Sequence, residues 1–203
     1  MENNIKQLLI SGVLGDGCLL KGGSMSFSCL HKEYMDFKFK IADGFCSEVK
    51  EKDNNGYKKG GKIFTTRLKA CDYGKYLLES SLKEQVEDLD ELGLAMWLYD
   101  DGSLHKTNLF YNINTHAFSR EDEENILIPL LNKFNIYPKI LTETKKDGRV
   151  FSYLYVSKYQ GAFEINRILN KYPLECYSYK LIPQEFVAKY KKVKEKFKGN
   201  KIT

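Results

Sequence analysis

The chain has 203 residues, enough for one sizeable core or two small fused ones, and its 42% hydrophobic content is ordinary for a soluble globular protein. No apolar run approaches the roughly 20 residues that cross a bilayer, and the opening MENNIKQLLISG is too short and polar for a secretory signal. The net charge of +5 is concentrated at the end, where seven lysines from Lys189 onward face one glutamate and leave residues 1–188 near −1. An intracellular protein without a membrane partner is therefore expected, with bacterial or phage cytoplasm and an organelle matrix equally compatible. A polyanion would have to meet a local basic surface, the lysine tail adding non-specific attraction. Cysteines 18, 29, 46, 71 and 176 form no CxxC pair and no zinc-like cluster with His31, His105 and His116, so free thiols are expected.

In chain order, IKQLLISGVLGDGCL reads as an apolar helix closed by Asp16 and Gly17. A strand pair follows around Gly22-Gly23, with SMSFSCL alternating small polar and apolar residues, and then a helix from about His31 to Phe45. A second hairpin joins EVKEKD to KIFTTRLKA through NNGYKKGG, and a helix runs from about Asp72 to Leu82. The acidic KEQVEDLDEL leads into LGLAMWLYDDGSL. From Leu92 to Tyr99 nearly every side chain is apolar, so this helix has no solvent face and Trp97 belongs to the core. Gly102 is expected to end it in a left-handed turn. Asp100 and Asp101 then occupy the negative end of the macrodipole, a placement costing about 0.3–1 kcal/mol each, and something positive is expected beside them. Next come a hairpin over Leu104 to His116 and a helix opened by a Ser119/Asp122 capping box and ending near Phe134. PKILTETK and RVFSYLYVSK flank a Lys-Asp-Gly turn, and a last helix covers about Tyr159 to Asn170.

Aligning Asp16-Gly17 with Asp101-Gly102 superposes two similar runs 85 residues apart, and the flanking elements match as well. The expected class is α+β, with tandem αββαββα repeats related by a pseudo-twofold axis. The repeats divide the chain into an N-terminal half (1–86), a C-terminal half (87–188) and a basic tail (189–203). Two buried helices in equivalent positions should pack on each other. Ser11, Gly12 and Gly15 in one, with Gly93 and Ala95 in the other, would let their backbones approach. Asp16 and Asp101 would then meet beside two negative helix ends, a clustering that requires cations. Carboxylates, main-chain carbonyls and water suit Mg²⁺.

LISGVLGDG (Leu9 to Gly17) and LAMWLYDDG (Leu94 to Gly102) resemble the two motifs of a single-chain LAGLIDADG homing endonuclease, and the αββαββα order resembles that family's fold, up to about Phe186. The resemblance implies that Asp16 and Asp101 are the metal-binding acids, with Gly15 and Asp100 as neighbouring metal-site candidates. It implies a monomer cutting both strands of a long double-stranded DNA target across the minor groove and leaving short 3′ overhangs. It also implies Mg²⁺, with Mn²⁺ substituting and Ca²⁺ binding without cleavage. YKLIP resembles the segment that carries a lysine near the site, which makes Lys180 a catalytic candidate. The first half lacks the Ile-Pro pair, and Lys83 in SSLKEQV is its nearest counterpart. Two alternatives share the fold: a maturase binding host intron RNA, and a DNA-binding regulator that does not cut.

In related proteins the concave sheet faces form a saddle along the major groove, and alternation selects the outward side chains here. In KIFTTRLKA, Thr65, Arg67 and Lys69 share one face while Phe64, Leu68 and Ala70 look inward; Lys62 is added for its charge. Ser24, Ser26 and Ser28 form a matching set. In the second half Asn112, Asn114 and His116 share a face, as do Phe151, Tyr153 and Tyr155, with Arg149 at the turn. Arg67 is the strongest candidate for a guanine.

Overall fold

Each apolar motif run becomes a buried helix followed by two β-hairpins and their covering helices. The computed structural model describes residues 2–54 and 61–190; the lysine tail from residue 191 and most of the NNGYKKGG turn lie outside the described residues. The first repeat comprises α1 (Glu2–Leu14), β1 (Cys18–Leu20), β2 (Ser24–Cys29), α2 (Lys32–Ala42), β3 (Lys50–Asn54), β4 (Gly61–Leu68), α3 (Asp72–Glu79) and α4 (Leu82–Val86). The second comprises α5 (Glu91–Asp101), β5 (Gly102–His105), β6 (Phe110–Asn114), α6 (Arg120–Asp122), a π-helical turn (Glu123–Leu127) and α7 (Ile128–Asn132). It continues through β7 (Lys139–Thr144), β8 (Val150–Val156), α8 (Ala162–Leu169) and a 3₁₀ helix (Glu175–Lys180). Two antiparallel sheets result, ordered β1-β2-β4-β3 and β5-β6-β8-β7, so the duplicated order extends to strand pairing. Among the described residues no helix is long and apolar enough to cross a membrane, and all five cysteines are free.

The centre is the α1–α5 pair. Leu8, Leu9 and Ile10 on α1 and Leu94 to Tyr99 on α5 are essentially inaccessible, as a helix without a solvent face must be. Close approach rests on two glycines: a Cβ on Gly15 would stand 2.8 Å from Asp100 Oδ2, and one on Gly93 would stand 2.4 Å from Gln7 Oε1. Gly12 departs from expectation. Its missing Cβ makes room for Met25 Sδ, which lies 2.0 Å from where a Cβ would stand, and so seats α1 on its own sheet and not on α5.

Gln7 ties the repeats together at the other end of the pair. Its Nε2 donates to Asp88 O (2.9 Å) and its Oε1 accepts from Asp90 N (2.9 Å), with the side chain 1% exposed. Gln7→Ala leaves both backbone groups short of a partner in a dry setting. A loss of about 2 kcal/mol is expected, read as a lowered urea midpoint.

Three local features differ from the sequence reading. Gly102 is extended (φ −78°, ψ 141°) and not left-handed. It is required because a Cβ there would meet Leu98 O at 2.5 Å. The helix expected from Ser119 to Phe134 does begin with the Ser119/Asp122 capping box, but it swells into the π turn, where Ile128 N donates to Glu123 O. Pro129 has no N–H for the carbonyl four residues earlier, which is a sufficient cause. Finally, the acidic stretch before α5 contains α4, whose capping box is Ser81/Glu84.

Candidate functional site

The helix ends bring the motif acids together. Beyond Leu14 the chain keeps turning, with Gly15 N donating to Ser11 O (2.9 Å) and Gly17 N to Gly12 O (3.0 Å), which leaves Asp16 just past the end of α1, with part of the residue open to solvent and its carboxyl partly enclosed. Asp101 is the last residue of α5. Its carboxyl is pushed up to about 7, first by burial and then by the charges of Asp16 and Asp100, with the positive charge of Lys180 offsetting part of the rise. Asp16 is raised too, by burial and by Asp100, against the lowering pull of Lys38 and Lys180. Three carboxylates thus share one electrostatic neighbourhood at two negative helix ends, and two lysines answer the expectation of something positive there.

Lys180 is held from both sides. Tyr111 donates its hydroxyl to Lys180 O (2.6 Å), and Ile182 N donates to Asn166 Oδ1 (2.7 Å). The side chain, 6% exposed, lies over the Tyr177 ring and donates to Tyr99 O (2.5 Å) and Leu98 O (3.5 Å), so its ammonium caps the end of α5. Burial depresses its pKa to about 8 against the upward pull of Asp100, Asp101 and Asp16. Asp16, Asp100 and Lys180 line one cleft of about 510 Å³ with Cys29, His31, Tyr99, Tyr177 and Tyr179.

Lys83 does not belong here. It is exposed on α4, beside Val86, Glu87, Pro129 and Lys133. That position precedes the start of α5, and the eleven residues of α5 separate it from Asp101 by about 15 Å of helix. The first-half lysine that does reach the acids is Lys38 on α2, 3.1 Å from Asp100 Oδ2, with both side chains 2% exposed.

The donor set fits a small hard cation. Asp16 and Asp101 supply carboxylate oxygens, and among the described residues no group of three or more His, Cys, Asp or Glu side chains is arranged to hold a metal alone. Mg²⁺ binds through one or two carboxylates and completes its shell with water and substrate phosphates, so a two-acid site suits it.

The sheet faces were read correctly in the main. Register places Ser26 opposite Arg67 and Ser28 opposite Thr65, so these four share the outward face of the first sheet. Ser24 lies on that face but is buried; its Oγ accepts from Arg67 Nη2 (2.9 Å) and Nε (3.3 Å), and so it orients the arginine. Lys62 is a correction. It pairs with Asp53 and shares the opposite face with Phe64, where it binds Asp53 (3.0 Å) and Glu51 (3.2 Å). Lys69 and Ala70 lie past the end of β4; Lys69 turns to Gly44 O (3.0 Å), and Ala70 is exposed, not inward. On the second sheet Asn112 faces Tyr155 and Asn114 faces Tyr153, as expected. Arg149 pairs with Asp147 (2.7 Å) and leans on Phe151, which His116 also contacts with ring centroids 4.8 Å apart.

A profile of the LAGLIDADG DNA endonuclease family matches residues 6–162, which include both motif helices and most of both sheets. The chain belongs to this family. Its fold is similar to that of the homing endonuclease I-WcaI bound to its DNA recognition sequence (TM-score 0.68, 24% identity, 88% of this chain and 86% of that one). It is also similar to the N-terminal LAGLIDADG domain of DUF199/WhiA (TM-score 0.51, 14% identity, 86% and 83%). Over 61 residues the chain is 31% identical to a probable intron-encoded DNA endonuclease 3 of Mycosarcoma maydis, covering 30% of this chain and 45% of that protein. The chain thus spans less than half of that relative's length.

Within the LAGLIDADG frame, sequence reading missed three participants. Lys38 lies on the inner face of α2 with Tyr34, Met35 and Ala42, and a lysine one turn from a buried tyrosine on an apolar stripe was the available signal. Glu123 is fully buried in the π turn and accepts from Ser152 Oγ (2.7 Å) and Thr115 Oγ1, an arrangement invisible without the π turn itself. Phe110 stacks between His105 and Tyr155 on the outward sheet face, with centroids 4.6 and 4.9 Å away; the period-two alternation of FYNIN already placed it there.

Proposed function

We propose that this chain is a divalent-metal-dependent endonuclease that cuts both strands of a long duplex DNA target and leaves short 3′ overhangs. Residues 1–86 and 87–188 each contribute one acid and one sheet, so a monomer carries the complete site. The observation that carries the reading is the meeting of Asp16 and Asp101 at adjoining helix ends under Lys180. A bound Mg²⁺ pair would polarise the scissile phosphates and lower the pKa of an attacking water. Mn²⁺ substitutes, and Ca²⁺ supports binding without cutting. Asp16 and Asp101 would supply the carboxylate oxygens that hold the metal. Lys180, anchored at Tyr99 O, places positive charge where anionic oxygen develops. Ser26, Ser28, Thr65 and Arg67 read one half-site, and Asn112, Asn114, Tyr153 and Tyr155 the other.

Selection of cut duplexes from a genomic library tests the proposal. Defined cuts with Mg²⁺ and none with Ca²⁺ are expected, whereas tight intron-RNA binding without cuts would favour a maturase. On the selected duplex, Lys180→Met is expected to slow cleavage by about 10²-fold or more while leaving the affinity measured in Ca²⁺ within a few-fold.

A further inference from the structure

The Asp100–Lys38 pair is a charged feature of the centre that neither motif symmetry nor the proposed chemistry uses. It joins α2 of the first repeat to α5 of the second, and both side chains are 2% exposed. Lys38 Nζ stands 3.1 and 3.4 Å from the two Asp100 oxygens. The Phe27 and Tyr34 rings, with centroids 4.5 and 4.4 Å away, wall in the ammonium. The Tyr34 hydroxyl donates elsewhere, to Met96 O (2.9 Å). The first motif has no equivalent pair, because Gly15 occupies the matching position, and the Asp100 carboxylate lies where a Gly15 side chain would be.

Buried ion pairs add little net stability compared with apolar residues of the same volume, so stability alone is a weak reason for this one. Its location offers a better one. Asp100 is adjacent in sequence to Asp101 and in space to Gly15, which precedes Asp16. A third free carboxylate there would compete for any cation that Asp16 and Asp101 share. No group of three or more His, Cys, Asp or Glu side chains able to hold a metal exists among the described residues, and the Asp100 carboxylate, which borders the cleft beside Asp16, is already engaged by Lys38.

We infer that Lys38 is a positioning residue that locks Asp100 into an internal ion pair and withholds it from the metal site, so that Asp16 and Asp101 alone share the divalent ions. This rests on the proposed metal-dependent nuclease and adds a charge count to it. Three carboxylates and two lysines leave the site one net negative charge, and that balance sets its cation affinity. Removing Lys38 frees an acid; removing only the Asp100 charge leaves an unpaired ammonium beside Asp16.

The test uses the full chain and Tb³⁺, a hard oxygen-seeking cation, with luminescence excited through Trp97. This is the only tryptophan in the chain and lies one turn before Asp101. Competition with Mg²⁺ and Ca²⁺ then gives their affinities, and thermal melts confirm that each variant is folded. Asp100→Asn is expected to weaken cation binding about tenfold or more, and Lys38→Met to strengthen it by a similar factor. The double variant K38M/D100N, which restores the net charge, should return to within about threefold of the unaltered chain. A double variant as weak as D100N would make Asp100 a metal ligand and overturn the inference, as would three variants that all bind like the parent. If K38M does not fold, the comparison of D100N with the double variant decides alone. Absence of any Mg²⁺-displaceable signal in the unaltered chain would instead overturn the metal site on which the inference stands.

Discussion

Asp101→Asn is expected to abolish double-strand cleavage, lowering the rate by at least about 10²–10³-fold, while duplex binding in Ca²⁺ stays close to that of the parent. Asparagine keeps the shape and removes the charge, so the helix pair and both sheets persist. Under the proposed function, what is lost is one of the two anions that would hold metal against the phosphates. A pH signature accompanies the loss of activity. Without metal, the Asp101 carboxyl titrates near 7 in the fold against an ordinary 3.8, because burial and then Asp16 and Asp100 disfavour the anion. A folded value above the unfolded one means that the fold keeps a proton the open chain has released. This contribution is complete below the unfolded pKa and drains away as pH rises from about 4 to about 7. On the proposed function Mg²⁺ would bind the deprotonated pair, so its thermal stabilisation should be small near about pH 5 and larger near about pH 8. In the Asp101→Asn variant that growth with pH should be much reduced. Scanning calorimetry of both proteins at the two pH values, with and without Mg²⁺, measures the difference.

Gly17→Ala is expected to cost about 3 kcal/mol of stability and most of the activity. A Cβ at Gly17 would stand 2.4 Å from Gly12 Cα and 2.7 Å from Gly12 O. These are backbone atoms of the same helix end, and no rotamer change can move them aside. Relief requires the last turn of α1 to open, which breaks the Gly17 N to Gly12 O bond and displaces Asp16 from its partner acid. For a chain of this length the predicted loss lowers Tm by about 6–12 °C. Gly102→Ala should behave alike at the end of α5, where Leu98 O lies 2.5 Å from the would-be Cβ. Cleavage assayed well below the melting temperature separates the two effects: a displaced acid lowers the rate of the folded enzyme, whereas simple destabilisation does not.

The parts of the molecule legible in the sequence were those governed by period and duplication. An uninterrupted apolar run announces a buried helix, two such runs at one spacing announce a symmetric pair, and their shared Asp-Gly endings put Asp16 and Asp101 together. Alternation gave the faces of Ser26, Thr65, Arg67, Asn112 and Tyr153. The illegible parts depend on neighbours distant in the chain. Lys62 carries the right charge for DNA, but its parity in β4 sends it to the Phe64 face, and only the β3 register reveals Asp53 waiting there. Lys83 is the first-half counterpart that SSLKEQV offers to the lysine of YKLIP, but it precedes α5, whereas the site lies at the far end of that helix. Lys38 is 62 residues from Asp100 and meets it only because α2 crosses the end of α5. Gly102 was assigned by its residue type to a left-handed turn; contact with Leu98 O, and not φ, is what requires it.

The central claim is that Asp16 and Asp101 jointly hold divalent ions at the seam of α1 and α5. Crystals of the chain with a library-selected duplex and Mn²⁺ test it through anomalous scattering. Mn²⁺ peaks are expected between these two carboxylates and the scissile phosphates, with none bonded to Asp100. Mn²⁺ held elsewhere, or the two carboxylates facing separate surfaces, would contradict it.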